Sequence, residues 1–171
     1  MASMVPETGR MASCDCGKVR FKAMGKPIVS AVCYCTDCQA GGRQIEAAGA
    51  RRDFRDAWQG TGYLTYRDDR LECLAGASLL RGFKLREGSG TTRFMTTCCK
   101  SAIYLKFAPG RWTSMYRVRF GDAAPPLEMR NNVQHAQDPA TLPDDVPAYR
   151  GFPLKLLWRL LRASIGSWLR I

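Results

Sequence analysis

The stretch Cys14-Asp15-Cys16-Gly17-Lys18-Val19-Arg20-Phe21-Lys22-Ala23 decides how the rest of the chain is read. Its second half alternates apolar and polar side chains, the period-two pattern of a half-buried strand. Its first half sets two thiols one residue apart. In an extended strand such residues point to the same face but stand about 6.6 Å apart, so the pair can share a metal only where the backbone turns. Gly17 permits that turn, because glycine reaches positive φ cheaply.

Short strands of the same kind recur downstream. Gly25-Lys26-Pro27 turns the chain into Ile28-Val29-Ser30-Ala31-Val32, and Gly60-Thr61-Gly62 precedes Tyr63-Leu64-Thr65-Tyr66. Asp68-Asp69 turns into Leu71-Glu72-Cys73-Leu74, and further strands are expected at 79–85, 91–95, 102–107 and 113–119. Strands broken by glycine clusters predict a mainly β fold. Residues 1–12 read as a flexible leader in which Met11 could be a start site, and 13–121 as the β domain. Pro125-Pro126, Pro139, Pro143 and Pro147 make 122–152 a wrapping segment of ordered coil. Residues 153–171 read as a basic amphipathic helix opened by Pro153.

The other thiols fall at Cys33-Tyr34-Cys35-Thr36-Asp37-Cys38 and Cys98-Cys99, with Cys73 apart. The Cys35-x-x-Cys38 spacing is a metal knuckle, and clustered thiolates favour zinc or an iron–sulfur cluster over hard cations. With no redox-partner motif in view, Zn2+ is the expected ion. Cys33, Cys35 and Cys38 supply three sulfurs, and a three-ligand zinc keeps a position open for a substrate thiolate or hydroxide. Cys14 and Cys16 need distant partners, which Cys98, with or without Cys99, would supply. A single four-cysteine structural zinc drawn from the whole set is the alternative reading. Cys73, in a strand pattern, reads as a small buried apolar residue, and His135, the only histidine, as a surface or hydrogen-bonded residue.

Composition bounds the partners. Twenty-six Lys and Arg against 15 Asp and Glu give a formal net charge of +11, which favours nucleic acid, acidic lipid or small carboxylates and phosphates. Residues 1–10 lack the apolar run of a signal peptide, and no stretch is long and uncharged enough to span a bilayer. The expected location is the cytoplasm, where eight cysteines stay reduced and a disulfide framework is the lesser alternative. Leu154, Leu157, Trp158, Leu161, Ile165 and Trp168 share one face of the terminal helix, with Lys155, Arg159, Arg162 and Arg170 as its charges and no acid. Such a helix can lie on an anionic membrane surface or pack on its own domain or a second copy. Leu156 and Leu160 widen the apolar face, so the helix is expected to dock on something. Nucleic acid is not favoured, since Tyr34, Trp58 and Tyr63 form no evident stacking platform.

Taken in order, Cys14-x-Cys16-Gly17, Val19-Arg20-Phe21, Cys33-x-Cys35-x-x-Cys38-Gln39, Gly60-Thr61 to Tyr66, Arg93-Phe94 and Cys98 resemble the glutathione-dependent formaldehyde-activating enzyme family, which includes centromere protein V. The resemblance covers about residues 12 to 120. It implies a small multi-sheet zinc-binding fold of that type, carrying a structural zinc and a second zinc at Cys33, Cys35 and Cys38. It implies carbon–sulfur lyase activity on a glutathione–formaldehyde adduct, with the three-cysteine cluster as catalytic centre. Arg43, Arg51, Arg52 and Arg55 are candidates for holding glutathione carboxylates. Against the family pattern Phe-Cys-x-x-Cys-Gly stands Phe94-Met95-Thr96-Thr97-Cys98-Cys99, so Met95 occupies the place of a ligand and Cys99 that of the glycine. The supporting site then keeps Cys14, Cys16 and Cys98 and lacks a fourth ligand unless Cys99 serves, and adjacent residues rarely chelate one metal without strain. Tyr34 stands where the family usually has histidine. These departures favour a second reading, a non-enzymatic zinc-stabilised module docking on nucleic acid or anionic membrane.

Overall fold

The computed structural model describes residues 9–51 and 54–168. Eight residues of the expected leader, Arg52 and Arg170 lie outside the described residues, as does the Trp168 side chain. Eleven strands are described: β1 (Arg10–Ser13), β2 (Arg20–Ala23), β3 (Val29–Cys33), β4 (Thr61–Arg67), β5 (Leu71–Ala75), β6 (Leu80–Phe83), β7 (Thr91–Thr96), β8 (Ala102–Phe107), β9 (Trp112–Tyr116), β10 (Met129–Asn131) and β11 (Ala148–Tyr149). Two helices accompany them, α1 (Thr36–Ala47) and α2 (Leu154–Trp168). The protein is mainly β, with thiol clusters able to hold a metal.

The strands form two sheets. β1-β2-β5 is a small antiparallel sheet, and β11-β10-β3-β4-β9-β8-β7-β6 a large mixed one. Strand alternation assigns the two faces of the large sheet. Leu64 and Tyr66 of β4, Ile103 of β8 and Met115 of β9 pack with Ala12, Val19 and Phe21 of the small-sheet region. The intervening Tyr63 and Tyr116 turn to the opposite face, where Ile45 of α1, Phe54 and Met95 meet Cys33 and Cys38. The two thiol clusters thus lie in separate cores.

Three sequence expectations change. Residues 10–12, assigned to the leader, are strand, because β1 pairs antiparallel with β2 from Arg10 opposite Ala23 to Ser13 opposite Arg20. The proline-rich segment does more than wrap: β10 pairs in parallel with β3, and β11 with β10, extending the large sheet. Cys73 is exposed rather than buried.

Helix α2 docks on its own domain, but not by the face its periodicity suggested. Leu156 is the side chain buried, against Val29, Ala31 and Met129, with Leu160 beside it. Arg159 Nη1 pairs with Glu128 at 2.6 Å, and Arg67 Nη2 donates to the Gly166 carbonyl at 3.2 Å. Leu154, Leu157, Trp158, Leu161 and Ile165 are left exposed. Among the described residues no helix is long and apolar enough to cross a membrane.

Candidate metal centre

The chain leaves β3 at Cys33 and enters α1 three residues later. Cys35 is the N-cap of that helix, and its sulfur accepts from the Cys38 backbone N–H at 3.4 Å. The helix N-terminus favours negative charge on it. Cys38 sits in the first turn and points back, so the sulfurs of Cys33, Cys35 and Cys38 lie within 4.8 Å of one another. Each receives one donor from elsewhere in the fold or its own turn. Asn132 Nδ2 reaches the Cys33 sulfur at 3.5 Å, the Cys38 N–H serves Cys35, and the Tyr63 hydroxyl reaches the Cys38 sulfur at 3.6 Å.

The thiols also bias one another. Hydrogen bonds from Cys33 and Cys38 pull the pKa of Cys35 down to about 2. The thiol bond it donates to Cys35, together with that to Cys38 and burial, pushes Cys33 up. Without an ion, the cluster therefore carries its first negative charge on Cys35. Tyr63 is pushed well above the usual phenol range, first by burial and then by the charge on Cys38, so it stays a donor.

These thiols line a cavity of about 560 Å³. Asp37 of α1 and Arg93 of β7 border it beside the sulfurs, and α2 closes its far side with Leu156, Leu157 and Leu160. Arg93 is 2% exposed. Its Nη2 donates to the Asp37 carbonyl at 2.9 Å, while Nη1 is buried with no protein partner. None of Arg43, Arg51 and Arg55 lines this cavity. Arg55 is committed to Glu46, with bonds of 2.8 and 2.6 Å. Tyr34 points away from the cluster, its hydroxyl donating to Asp56 at 2.7 Å. Sequence reasoning thus missed Arg93, Asn132 and the role of Tyr63. Only Arg93 had a signal, as the one charged residue of its strand.

The second cluster joins two turns distant in sequence. Cys14 and Cys16 follow β1, and Cys98 and Cys99 lie in the turn between β7 and β8. All four sulfurs lie within 4.8 Å of one another. Neighbouring separations are 3.6 Å for Cys14–Cys16, 3.4 Å for Cys16–Cys98 and 3.8 Å for Cys98–Cys99. Those spacings are far beyond a disulfide bond of ~2.05 Å, and all eight cysteines are free. A tetrahedral ion with metal–sulfur bonds of about 2.3 Å needs sulfurs about 3.8 Å apart, so four thiols here suit one ion.

The adjacent pair meets at one site because of the backbone after it. Lys100, not Cys99, takes the left-handed conformation, with φ 58°. Lys100 therefore stands where the motif's glycine would, Cys99 takes the second cysteine position, and Thr96 the first. The Thr96 hydroxyl lies 3.4 Å from the Cys99 sulfur, and the Ser101 hydroxyl 3.2 Å. Burial opposes ionisation of Cys99, but these two hydroxyls outweigh it and bring its pKa down to about 5. Met95 faces the other core. Met95 thus lies away from this cluster, and the fourth sulfur beside those of Cys14, Cys16 and Cys98 is that of Cys99. Behind the turn, Asp15 accepts from Ser101 Oγ at 2.8 Å and pairs with Arg119 at 2.7 Å. His135, exposed, joins neither cluster.

The model of the glutathione-dependent formaldehyde-activating enzyme family matches residues 9–136, which takes in both thiol clusters and Asn132. The chain belongs to this family. Among curated proteins no sequence matches. A Rhodobacter sphaeroides protein of known crystal structure is similar at 15% identity and a TM-score of 0.47, over 67% of this chain and 91% of that one. Family membership and the two thiol clusters together make this a metal-binding protein of the formaldehyde-activating type.

Proposed function

We propose that this chain is a zinc-dependent carbon–sulfur lyase acting on a thiol–aldehyde adduct, with glutathione as the thiol. One observation carries the reading: three sulfurs converge on the wall of an open cavity, each with its own hydrogen-bond donor. The donor set fits zinc, since three clustered thiols are soft ligands and the cavity leaves room for a fourth from substrate. Cys33, Cys35 and Cys38 would hold that ion, and Cys14, Cys16, Cys98 and Cys99 a structural one. When bound, the reactive zinc supplies a positive charge that keeps the substrate sulfur as thiolate near neutral pH.

The chain's own residues supply the rest. Arg93 offers its unpartnered Nη1 to a substrate carboxylate or to oxygen charge developing in the cavity. Asn132 and Tyr63 orient the sulfurs they donate to. In the synthetic direction the thiolate sulfur attacks the carbonyl carbon, a carbon–sulfur bond forms, and the π pair moves to oxygen, which takes a proton from water. The reverse step breaks the same bond and returns the proton. Zinc analysis of wild type and Cys35→Ser tests the site. Two zincs falling to one, with loss of glutathione binding, is expected; an unchanged count would overturn the assignment.

The exposed face of α2 favours a second, compatible reading. Leu157, Trp158, Leu161 and Ile165 form an apolar stripe beside Lys155 and Arg162, and residues 154–168 contain no acid. With a net charge of +11 this suits an anionic membrane surface, at roughly 1 kcal/mol per basic residue. Co-sedimentation with phosphatidylserine vesicles but not phosphatidylcholine vesicles, abolished by Trp158→Glu, is the expected result. A concentration-dependent dimer that loses the stripe on association would point to a second copy instead.

A further inference from the structure

The cavity that holds the three thiols is not shaped or lined for formaldehyde. A methylol group needs about the space of one or two waters, roughly 30 Å³ each, and the cavity offers about 560 Å³. The peptide part of glutathione does not explain the excess. Its two carboxylates and its ammonium call for charged or polar walls, and the charged lining is confined to Asp37 and Arg93 beside the thiols. Thr65, Thr91 and Ser114 also line it, the Thr65 and Ser114 hydroxyls bonded to each other at 2.8 Å, and the rest of the wall away from the thiols includes Leu105, Phe107, Trp112, Phe152, Leu157 and Leu160. Three of these come from α2 or its approach, beyond the matched residues 9–136. A cavity with a polar, thiol-bearing end and a long apolar end selects a ligand with the same division.

We propose that the substrate is an adduct between a thiol and an aldehyde that carries an apolar chain or ring of about six carbons or more. This rests on the lyase reading and names the aldehyde side of its substrate. The chemistry is unchanged: the thiolate adds to the carbonyl carbon, the oxygen takes a proton from water, and an apolar group stands where formaldehyde has hydrogen. The thiol sulfur and its carboxylates stay at the Cys35 and Arg93 end, and the apolar group runs under α2 towards Leu157 and Phe152. Both residues are half-exposed, at 47% and 53%, so the chain enters from the edge of the same helix whose outer face is apolar.

Calorimetric binding of non-reactive thioethers to the zinc-loaded full chain tests this, because it reads affinity and not turnover. S-methylglutathione and S-hexylglutathione differ by five methylenes. The hexyl compound is expected to bind at least about tenfold tighter, a fraction of what full burial of five methylenes would give. Leu157→Gln and Phe152→Gln change surface-accessible positions, and each is expected to cut the hexyl advantage at least about threefold with S-methylglutathione unchanged. Equal affinities for the two thioethers, or a hexyl advantage untouched by both variants, would overturn the inference. Zinc-dependent binding of glutathione without any gain from the hexyl chain would leave the lyase reading standing and remove only the apolar aldehyde. Absence of zinc-dependent glutathione binding would remove both.

Discussion

Arg93 Nη2 donates to the backbone carbonyl of Asp37 at 2.9 Å, tying strand β7 to the first turn of the helix that bears Cys35 and Cys38. The contact requires Gly41, where an added Cβ would lie 2.2 Å from Arg93 Nε. A guanidinium 2% exposed, with one nitrogen unpartnered, costs stability where it stands. Its retention beside three thiols is therefore better explained by a ligand than by folding. Arg93→Met keeps the length and removes the charge. The expected outcome is a melting temperature unchanged or higher, with glutathione affinity reduced at least about tenfold, as for loss of a charged hydrogen bond. Gly41→Ala, which displaces the same side chain, is expected to weaken binding in parallel. A titration of glutathione into each variant, set beside thermal unfolding, separates the two effects.

The donor on each sulfur gives a second expectation. Tyr63, buried at the cavity wall, reaches the Cys38 sulfur at 3.6 Å, and its ring packs on Tyr116 with centroids 5.2 Å apart. Tyr63→Phe keeps the ring and deletes the donor. Removing an outer-shell partner typically lowers metal affinity about 10- to 100-fold. Competition with a chromogenic chelator is expected to show that drop at one of two zincs, with the other unaffected.

The sequence carried the strands, both thiol clusters and the basic terminal helix, because each has a local signature in period or spacing. It concealed α1. Gly41-Gly42 in mid-helix reads as a break, since each glycine costs about 1 kcal/mol there relative to alanine. The structure gives the reason for both: Arg93 crosses Gly41, and Arg55 crosses Gly42, where a Cβ would fall 2.5 Å from Arg55 Cδ. Arg93 comes from a distant strand and Arg55 from beyond the end of the helix, so the helix's own sequence does not contain the explanation. The same holds for Asn132. Its contact to Cys33 spans 99 residues and depends on β10 joining β3 in parallel. Helix α2 failed differently: its periodic face was legible, but Leu156, off that face, is what the sheet buries. Periodicity identifies an apolar stripe and does not say what covers it.

Cys99 and Met95 give the third expectation, because the sulfur of Cys99 lies with those of Cys14, Cys16 and Cys98 while Met95 faces the other core. Cys99→Ser is expected to remove the zinc of the Cys14 cluster, leaving one zinc per chain. It should also lower the melting temperature, because that ion joins turns more than 80 residues apart. Met95→Leu, a volume-conserving change in an apolar core, is expected to keep both zincs and to cost less than about 1.5 kcal/mol. Zinc stoichiometry by atomic emission, with thermal unfolding of each variant, reads both. Loss of a zinc from Met95→Leu would mean that the thioether, not Cys99, completes the site.

Asp15 sets the acid limit of the same turn. Burial works against its charge, but the hydrogen bond from Ser101 and the ion pair with Arg119 hold its pKa below the usual 3.8. A carboxylate whose folded pKa is depressed stabilises the protein above its unfolded value and loses that contribution as pH falls through the folded one. Arg119 is 4% exposed at its side chain and Asp15 28%, so the open flank of the carboxylate limits the contribution to about 1 kcal/mol. Asp15→Asn is expected to be less stable than wild type by that amount above about pH 5, and the gap should close as pH falls below about 4. Asp15 lies between two of the thiols, so metal content is measured at each pH and the two proteins are compared where it is equal. Denaturant midpoints of the two proteins across this range give the result, and a gap that does not narrow as pH falls below about 4 would show that Asp15 acts through shape rather than charge.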